Sequence, residues 1–241
     1  MNYRRVSFVA GLIGLLFVVS FGVVATAADP EPGLSQILTR FDEVQSRVES
    51  LRADFTMVTE SMMLKDKLVA TGRIYLTKPD SVRWEFDSPE PMHFVIAENR
   101  YTGYFPNQKR AEKRDIQRWR EQLFRFLGLG QASAELSRFY EIRLAEDAAV
   151  VPGTICLELD PKKQRVKKKM DAVHFWIDDT TYMPVRVEYR SKKGDRRVIE
   201  FERMEVNPQL AADLYSVDLP ADVVVSKGFS AFSGFGPDST N

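Results

Sequence analysis

The stretch of sequence that decides the fold spans residues 72–86 and reads GRIYLTKPDSVRWEF. In each half, every second residue is apolar and the residues between are mostly polar or charged, which predicts two strands with one buried and one wet face. Pro79 and Asp80 lie between the halves and predict a turn. We therefore expect a β-hairpin whose apolar side faces inward. Its inward positions include Ile74, Leu76, Val82, Trp84 and Phe86.

The start of the chain has the organisation of a Sec signal peptide. Arg4 and Arg5 precede an apolar run that ends at Val24, and the next three residues, Ala-Thr-Ala, fit a small-x-small cleavage site. An uncleaved membrane anchor is the alternative, because the run is about as long as a short membrane-spanning helix. We expect residues 1–27 to be the signal peptide and residues 28–241 to form one domain.

Strand patterns dominate the rest of the chain. Consecutive strands with short turns predict an antiparallel meander rather than a parallel α/β sheet. An amphipathic helix is predicted over residues 34–51, and two further helices over residues 116–127 and 133–139. The later pair is a candidate lid, with an ordinary connecting helix as the alternative. The strands expected after it cover residues 140–145, 154–159, 172–177, 185–190, 196–206 and 223–225.

Charge and cysteine usage exclude several classes of function. The chain has 34 basic and 34 acidic side chains, and loss of Arg4 and Arg5 leaves a net charge of −2, which gives no sign of a nucleic-acid binder. Cys156 is the only cysteine, so no disulfide can form within the chain. It lies among alternating apolar residues and is expected to be a small core or sheet residue, with a reactive thiol as the alternative.

Signatures of catalysis are missing from the sequence. His93 and His174 have no acidic or cysteine neighbours at metal-ligand spacing. There is no nucleophile elbow, phosphate loop or dinucleotide-binding motif, and the acidic residues are too scattered to define a glycosidase pair. We therefore expect no enzyme, no cofactor, no catalytic residue and no metal site.

Apolar side chains are present in surplus. A wide antiparallel sheet with one apolar face must be covered, closed on itself or filled by a ligand. We expect the apolar side to form a trough for lipid, and a core filled by the protein's own side chains is the alternative. The candidate lipid-binding residues are Phe41, Phe55, Met57, Ile74, Leu76, Val82, Trp84, Phe86, Met92, Phe94, Ile96, Trp119 and Phe124.

Residues 162–169 form a basic run that reads KKQRVKKK. We interpret it as a solvated hairpin tip, and contact with anionic lipid or an acidic partner is the alternative.

The order of several short motifs carries more information than any one of them. These are residues 51–56 (LRADFT), 72–79 (GRIYLTKP), 82–86 (VRWEF), Pro89, 94–97 (FVIA), 104–106 (YFP), 207–210 (NPQL) and 214–220 (LYSVDLP). In this order they resemble the LolA family, the periplasmic outer-membrane lipoprotein carrier proteins. The resemblance covers nearly all of the chain after the signal peptide.

The resemblance implies a mainly β (α+β) fold. Its core would be an incomplete antiparallel β-barrel, or half-pipe, with an N-terminal amphipathic helix and lid helices over a hydrophobic cavity. It further implies a periplasmic carrier that takes acylated lipoproteins from an inner-membrane ABC-type releasing complex to an outer-membrane receptor. We expect such a carrier to be a monomer that binds no nucleic acid.

Lys78 departs from the family's pattern. The family has an arginine before the proline of this strand turn, and that arginine helps to hold the lid by hydrogen bonds. Lysine offers a point charge instead of a planar fork of donors, so the exchange is not conservative. The resemblance implies a lid latch at Lys78 that opens more easily, or a different cargo. A solvated turn residue is the alternative.

Two other functions fit the same fold. One is a carrier of a glycolipid or another lipid for a specialised exporter. The other is a lipid-sensing regulatory module that binds a signalling protein instead of transferring cargo.

Overall fold

The predicted hairpin lies in the middle of one half of a much wider sheet. In the computed structural model, further strands flank this hairpin on both sides. All described residues belong to one compact unit, Pro32–Asn241. The expected signal peptide lies outside the described residues. The structure describes residues 33–62, 66–117, 132–145, 149–211 and 213–228.

Twelve strands make up the sheet that the described residues form. In chain order they are β1 (Ser50–Glu60), β2 (Leu68–Thr77), β3 (Ser81–Ser88), β4 (Met92–Ala97), β5 (Arg100–Phe105), β6 (Arg110–Asp115), β7 (Tyr140–Leu144), β8 (Thr154–Pro161), β9 (Val173–Asp178), β10 (Pro184–Arg190), β11 (Arg196–Val206) and β12 (Val224–Ser226).

The sheet order is β12-β6-β5-β4-β3-β2-β1-β11-β10-β9-β8-β7. Strands β1 to β6 and β7 to β11 are two meanders, and pairing of β1 with β11 joins them. All pairs are antiparallel except β6 with β12, which is parallel. Because β12 and β7 are the two edges and do not pair with each other, the sheet is not closed into a barrel. The incomplete antiparallel β-barrel expected from the sequence is therefore confirmed.

The inner face, which carries Phe55, Trp84 and Phe175, holds the main apolar core. Alternate residues of β1, β2 and β3 are buried along their length, as the period of two predicts. The opposite face, here the outer face, carries most of the ion pairs.

The amphipathic helix forms α1 (Leu34–Ser46), which lies against the inner face. Its buried side chains are Ile37, Phe41 and Gln45, and the Phe41 ring meets that of Phe175 edge-on, with 6.1 Å between centroids.

Helix α1 ends five residues earlier than the sequence predicts. The Asn207 side chain accepts hydrogen bonds from the backbone N–H groups of Glu49 (2.7 Å) and Ser50 (3.2 Å), and its amide donates to the Arg47 carbonyl (2.8 Å). These bonds fix the link that leads into β1, where Leu51 pairs with Leu76 on β2. The apolar Leu51 therefore continues the strand pattern and not the helical one.

The sequence pattern does not predict strand β6, because charged residues make up most of its length. It pairs along its whole length with β5, and backbone hydrogen bonding outweighs its lack of apolar alternation. The helix expected over residues 116–127 lies almost entirely outside the described residues. The following helix is confirmed as α2 (Ser133–Ser137), two residues shorter than predicted. The basic run contains a four-residue helix, α3 (Gln164–Lys167), instead of a plain hairpin tip.

Residues 213–223, here the strap, cross the outer face. The Arg83 guanidinium donates to the carbonyls of Leu214 (2.9 Å) and Ser216 (3.0 Å), and the Tyr215 hydroxyl lies 2.7 Å from that of Thr77. The strap leads to β12, and so delivers the strand that pairs with β6.

Candidate lipid-binding face

A chain of aromatic rings runs across five strands of the inner face. The Phe55 ring lies 5.5 Å from Trp84 and 5.0 Å from Phe86, between centroids. Phe94 lies 5.6 Å from Phe86 and 5.7 Å from Phe105. Most of these pairs are edge-on, an arrangement that stabilises aromatic clusters beyond the area they bury. The rings together form one continuous apolar surface from β1 to β5.

Gly72 lets these rings approach one another. It lies on β2 between Phe55 of β1 and Phe86 of β3. A Cβ atom at this position would lie 1.9 Å from the Glu85 carbonyl oxygen and 2.9 Å from the Phe55 ring. The absence of a side chain is therefore required for this packing.

The structure brings the described candidate residues together. All of them lie on the inner face or on α1, and all are buried except Met92, which is half-buried. Trp119 and Phe124 lie outside the described residues. Helix α1 contacts the inner face at Phe175 of β9. Because the aromatic rings are buried, an acyl chain can reach them only if a covering element moves away. The arrangement is a closed one.

Lys78 holds the C-terminal end of α1. Its Nζ donates to the Gln45 carbonyl at 2.7 Å, and its backbone N–H donates to the Glu49 carbonyl at 2.8 Å. The last carbonyls of a helix lack partners within it and favour a nearby cation. The expected latch residue therefore contacts a helix that covers the inner face, and its role as a latch remains a prediction.

Two further residues of α1 fasten it to the rest of the protein. The Asp42 carboxylate accepts hydrogen bonds from the backbone N–H and the hydroxyl of Ser133 at the start of α2, both at 2.6 Å. The Gln45 amide donates to the Tyr182 carbonyl (3.4 Å) and lies 3.7 Å from the Met183 sulfur. Sequence reasoning missed both residues, because they look like ordinary solvated positions of an amphipathic helix.

Polar side chains lie at one end of the inner face. Arg197 of β11 donates from Nε to the Thr59 hydroxyl at 3.1 Å, and burial lowers the pKa of its guanidinium. Tyr189 of β10 pairs with Arg197, and burial raises the pKa of the Tyr189 hydroxyl. Arg197 and Tyr189 therefore place a guanidinium and a neutral hydroxyl at this end of the apolar face.

Glu188 on the outer face has a structural role. Its side chain is 2% exposed and accepts hydrogen bonds from Arg190 (2.6 Å) and Arg196 (2.8 Å). Burial acts to raise the pKa of Glu188, but the hydrogen bonds from Arg196 and Arg190 outweigh it and lower the pKa to about 2. The charged group therefore links β10 to β11.

Cys156 also lies on the outer face, opposite Trp176. Burial raises the pKa of its thiol to about 12, so the thiol stays protonated at neutral pH. Cys156 is half-buried, and a protonated thiol favours the expected role of a sheet residue over that of a reactive thiol.

A cavity of about 660 Å³ lies on the outer face beneath the strap. The sheet separates it from the aromatic surface. Its lining includes Ser81, Val95, Thr102, Lys113, Tyr215 and Ser216.

The described residues contain no cluster of three or more His, Cys, Asp or Glu side chains that could hold a metal ion. No helix among them is both long enough and apolar enough to cross a bilayer.

The open antiparallel half-barrel, with a helix lying against its apolar inner face, defines a LolA-type protein. The family model for the outer membrane lipoprotein carrier protein LolA matches residues 46–218, and the chain belongs to this family. The match runs from the end of α1 through β1–β11 and into the strap, so it includes the inner face.

Solved structures resemble this chain at low sequence identity. An uncharacterized conserved protein from Thermus thermophilus is 18% identical over 80% of this chain and 98% of that chain, with a TM-score of 0.50. A chain of the Pseudomonas aeruginosa MucA/MucB complex is 18% identical over 80% of this chain and 62% of that chain, with a TM-score of 0.47. The Mycobacterium tuberculosis lipoprotein LppX is 10% identical over 74% of this chain and 99% of that chain, with a TM-score of 0.43. Among curated proteins, no match was found.

Proposed function

We propose that the protein carries the acyl chains of lipoproteins through the periplasm, in a space that opens between α1 and the inner face. The observation that carries this proposal is the continuous aromatic surface from Phe55 to Phe105, in a chain that belongs to the LolA family. The acyl chains would lie against the residues that the sequence singles out, and the protein would act as a carrier and not as an enzyme.

The need for such a carrier follows from the cost of exposing lipid to water. At about 0.8 kcal/mol per methylene group, exposing one long acyl chain to water costs roughly 10 kcal/mol of free energy. Binding must still stay well below the limit of about 20 kcal/mol for noncovalent affinity, or the cargo would not be released. Met57 and Met92 suit this requirement, because methionine repacks around irregular ligands.

Displacement of α1 provides a physical route for loading. The closed state buries the apolar side chains of α1, and an acyl chain can replace those contacts with its own methylene groups. The exchange conserves buried apolar area, so loading and release need only small net free energies. The polar contacts of Lys78 and Asp42 then set how readily the helix moves.

The family's description supports a direction of transport. We propose that a signal peptide exports the chain to the periplasm, that an inner-membrane ABC-type complex supplies cargo, and that an outer-membrane receptor accepts it.

Photocrosslinking in the native envelope tests the carrier function. A photoreactive amino acid would replace Trp84 or Phe94 on the inner face, and His93 on the outer face of the same sheet would serve as the matched control. We expect acylated proteins to be trapped from the two inner positions and not from His93. Mass spectrometry of the trapped species separates lipoproteins from glycolipids. Absence of any lipid adduct at both inner positions, in a protein that folds normally, would refute a lipid carrier.

A further inference from the structure

The fold joins two basic segments that are distant in sequence. One is the run from Lys162 to Lys169, between β8 and β9, and the other is the turn of Lys192 and Lys193, between β10 and β11. The Lys192 backbone N–H donates to the Lys169 carbonyl at 2.9 Å, and that of Asp171 donates to the Arg190 carbonyl at 2.9 Å. The two segments therefore form one surface.

This surface carries an excess of positive charge. Residues 160–171 and 191–195 carry eight basic side chains and three carboxylates, those of Asp160, Asp171 and Asp195, which gives a net charge of +5. Lys167 pairs with Asp160 at 2.9 Å, and Lys192 pairs with Asp171. The net positive charge attracts anions.

Exposed apolar side chains lie at the same end of the sheet. The Ser61 hydroxyl donates to the Asp195 carboxylate at 2.6 Å, which places the end of β1 beside the lysine turn. The next residue, Met62, is 81% exposed and lies against Gly194. Leu68 and Val69, at the start of β2, are 46% and 48% exposed. We call the two basic segments together with Met62, Leu68 and Val69 the basic rim.

We propose that the basic rim docks the protein on the surface of an anionic lipid bilayer. Lysine side chains bind anionic headgroups, while adjacent exposed apolar side chains enter the boundary with the acyl chains. An acidic protein would satisfy the charges but gives no role to three exposed apolar side chains beside them. Leu68 also lies on the same face as the aromatic cluster, so a docked rim brings one end of the inner face to the lipid surface.

Vesicle binding by the mature protein, purified from the periplasm without cargo, tests this docking. We expect binding to vesicles in which about one third of the phosphatidylcholine is replaced by phosphatidylglycerol, and little binding to phosphatidylcholine alone. Raising the salt from about 0.1 M to about 1 M shortens the Debye length from about 10 Å to about 3 Å and should release the protein. Equal binding to both vesicle types would overturn the proposal.

A charge variant and a matched control locate the docking surface. The triple variant Lys163→Gln, Lys168→Gln and Lys193→Gln should bind anionic vesicles about 100-fold more weakly, since each basic residue near the surface contributes a factor of about five. Lys109→Gln, Lys113→Gln and Lys227→Gln remove the same charge near the β6–β12 edge and should change binding less than about threefold. Equal losses in the two variants, at unchanged thermal stability, would show that net charge and not the rim is responsible.

An apolar variant separates a bilayer from an acidic protein. Met62→Ser combined with Leu68→Ser keeps every charge and should weaken vesicle binding about tenfold, because two apolar anchors are lost. Undiminished binding by this variant would overturn bilayer docking in favour of charge attraction alone. The experiment contains no cargo, so its failure leaves the carrier function to be judged by photocrosslinking.

Discussion

Replacing Lys78 with methionine tests whether this side chain fastens α1 over the inner face. The substitution removes the 2.7 Å hydrogen bond from Nζ to the Gln45 carbonyl but keeps the backbone bond to Glu49. A hydrogen bond to a charged group stabilises by about 1.5–3 kcal/mol, and solvent at this half-buried position reduces that value. We expect a loss of about 1–2 kcal/mol from the closed state, which is a factor of about 5–30 in its opening equilibrium.

Hydrogen exchange measures this opening directly. Exchange of the amides in α1 should speed up by about 5–30-fold in Lys78→Met, while amides in the middle of β1 and β11 should change much less. A fluorescent fatty-acid probe should also bind to the variant more quickly. Lys109→Met is the matched control, since it removes a lysine from an exposed ion pair with Asp222. Lys78→Arg keeps a cationic donor and should restore most of the protection.

Two results would refute this reasoning. If exchange of α1 is the same in Lys78→Met, in the control and in the unaltered protein, Lys78 is an ordinary solvated turn residue. If exchange rises to the same extent throughout the sheet, Lys78 stabilises the whole fold and does not act on a movable helix.

Three further substitutions or conditions give sharp outcomes. Gly72→Ala places a Cβ atom 1.9 Å from the Glu85 carbonyl oxygen and should lower the free energy of unfolding by at least about 3 kcal/mol in urea denaturation; a change below about 1 kcal/mol would show that β2 and β3 can separate freely. Asp42→Ala removes two hydrogen bonds to Ser133 and should destabilise the contact of α1 with α2 by about 2–3 kcal/mol, seen as faster amide exchange in both helices; exchange confined to α2 would mean that Asp42 only caps that helix. The pKa of Glu188 falls from 4.5 in the unfolded reference to about 2 on folding, so its stabilisation is complete above the unfolded pKa and is lost as pH falls toward the folded pKa. Up to about 3 kcal/mol should disappear across this window in denaturation curves, and the loss should be absent in Glu188→Gln.

The centre of the inner face could be predicted because β1, β2 and β3 follow a period of two along most of their length. In β3, Val82, Trp84 and Phe86 are all buried and the residues between them are partly exposed, so the sequence pattern and the burial pattern coincide. The pattern holds because one face of these strands packs on the core and the other meets solvent. Ten of the thirteen candidate lipid-binding residues lie on strands of the inner face, as this pattern predicts, and Phe41 lies on α1, as its helical spacing predicts. The other two lie outside the described residues, and binding of lipid by these residues remains a prediction.

Strand β6 could not be predicted in this way. It reads RAEKRD, and its charged residues fall on both faces of the sheet. Glu112 is buried and pairs with Arg110, whose guanidinium lies 4.0 Å from the centre of the Phe105 ring. The strand forms because β5 and β12 offer backbone partners, and no local pattern of six residues contains that information.

Contacts between segments that are distant in sequence could not be predicted either. The Asn207 side chain donates a hydrogen bond to the Arg47 carbonyl at the end of α1, although the two residues are 160 positions apart in sequence. The Lys192 backbone N–H likewise donates to the Lys169 carbonyl. Such partners depend on which strands become neighbours in the sheet. Sequence periodicity describes each element separately and says nothing of this order.

The direction of α1 connects its movement with the basic rim. Near its C-terminal end, Gln45 contacts Tyr182 and Met183, just after the end of β9, whereas Phe41, one turn earlier, contacts Phe175 in the middle of β9. The helix therefore runs back along β9, whose first residues follow the basic run. At 1.5 Å per residue, Leu34 lies about 16 Å from Gln45, which brings the first turn of α1 toward the rim. Within the described residues, the side-chain hydrogen bonds that tie α1 to other elements come from Asp42, Gln45 and Lys78, all near the C-terminal end. The first turn of helix α1 should therefore separate first, full opening then requires release of the Asp42 and Lys78 contacts, and the inner face would become accessible at the end that we propose to dock on lipid.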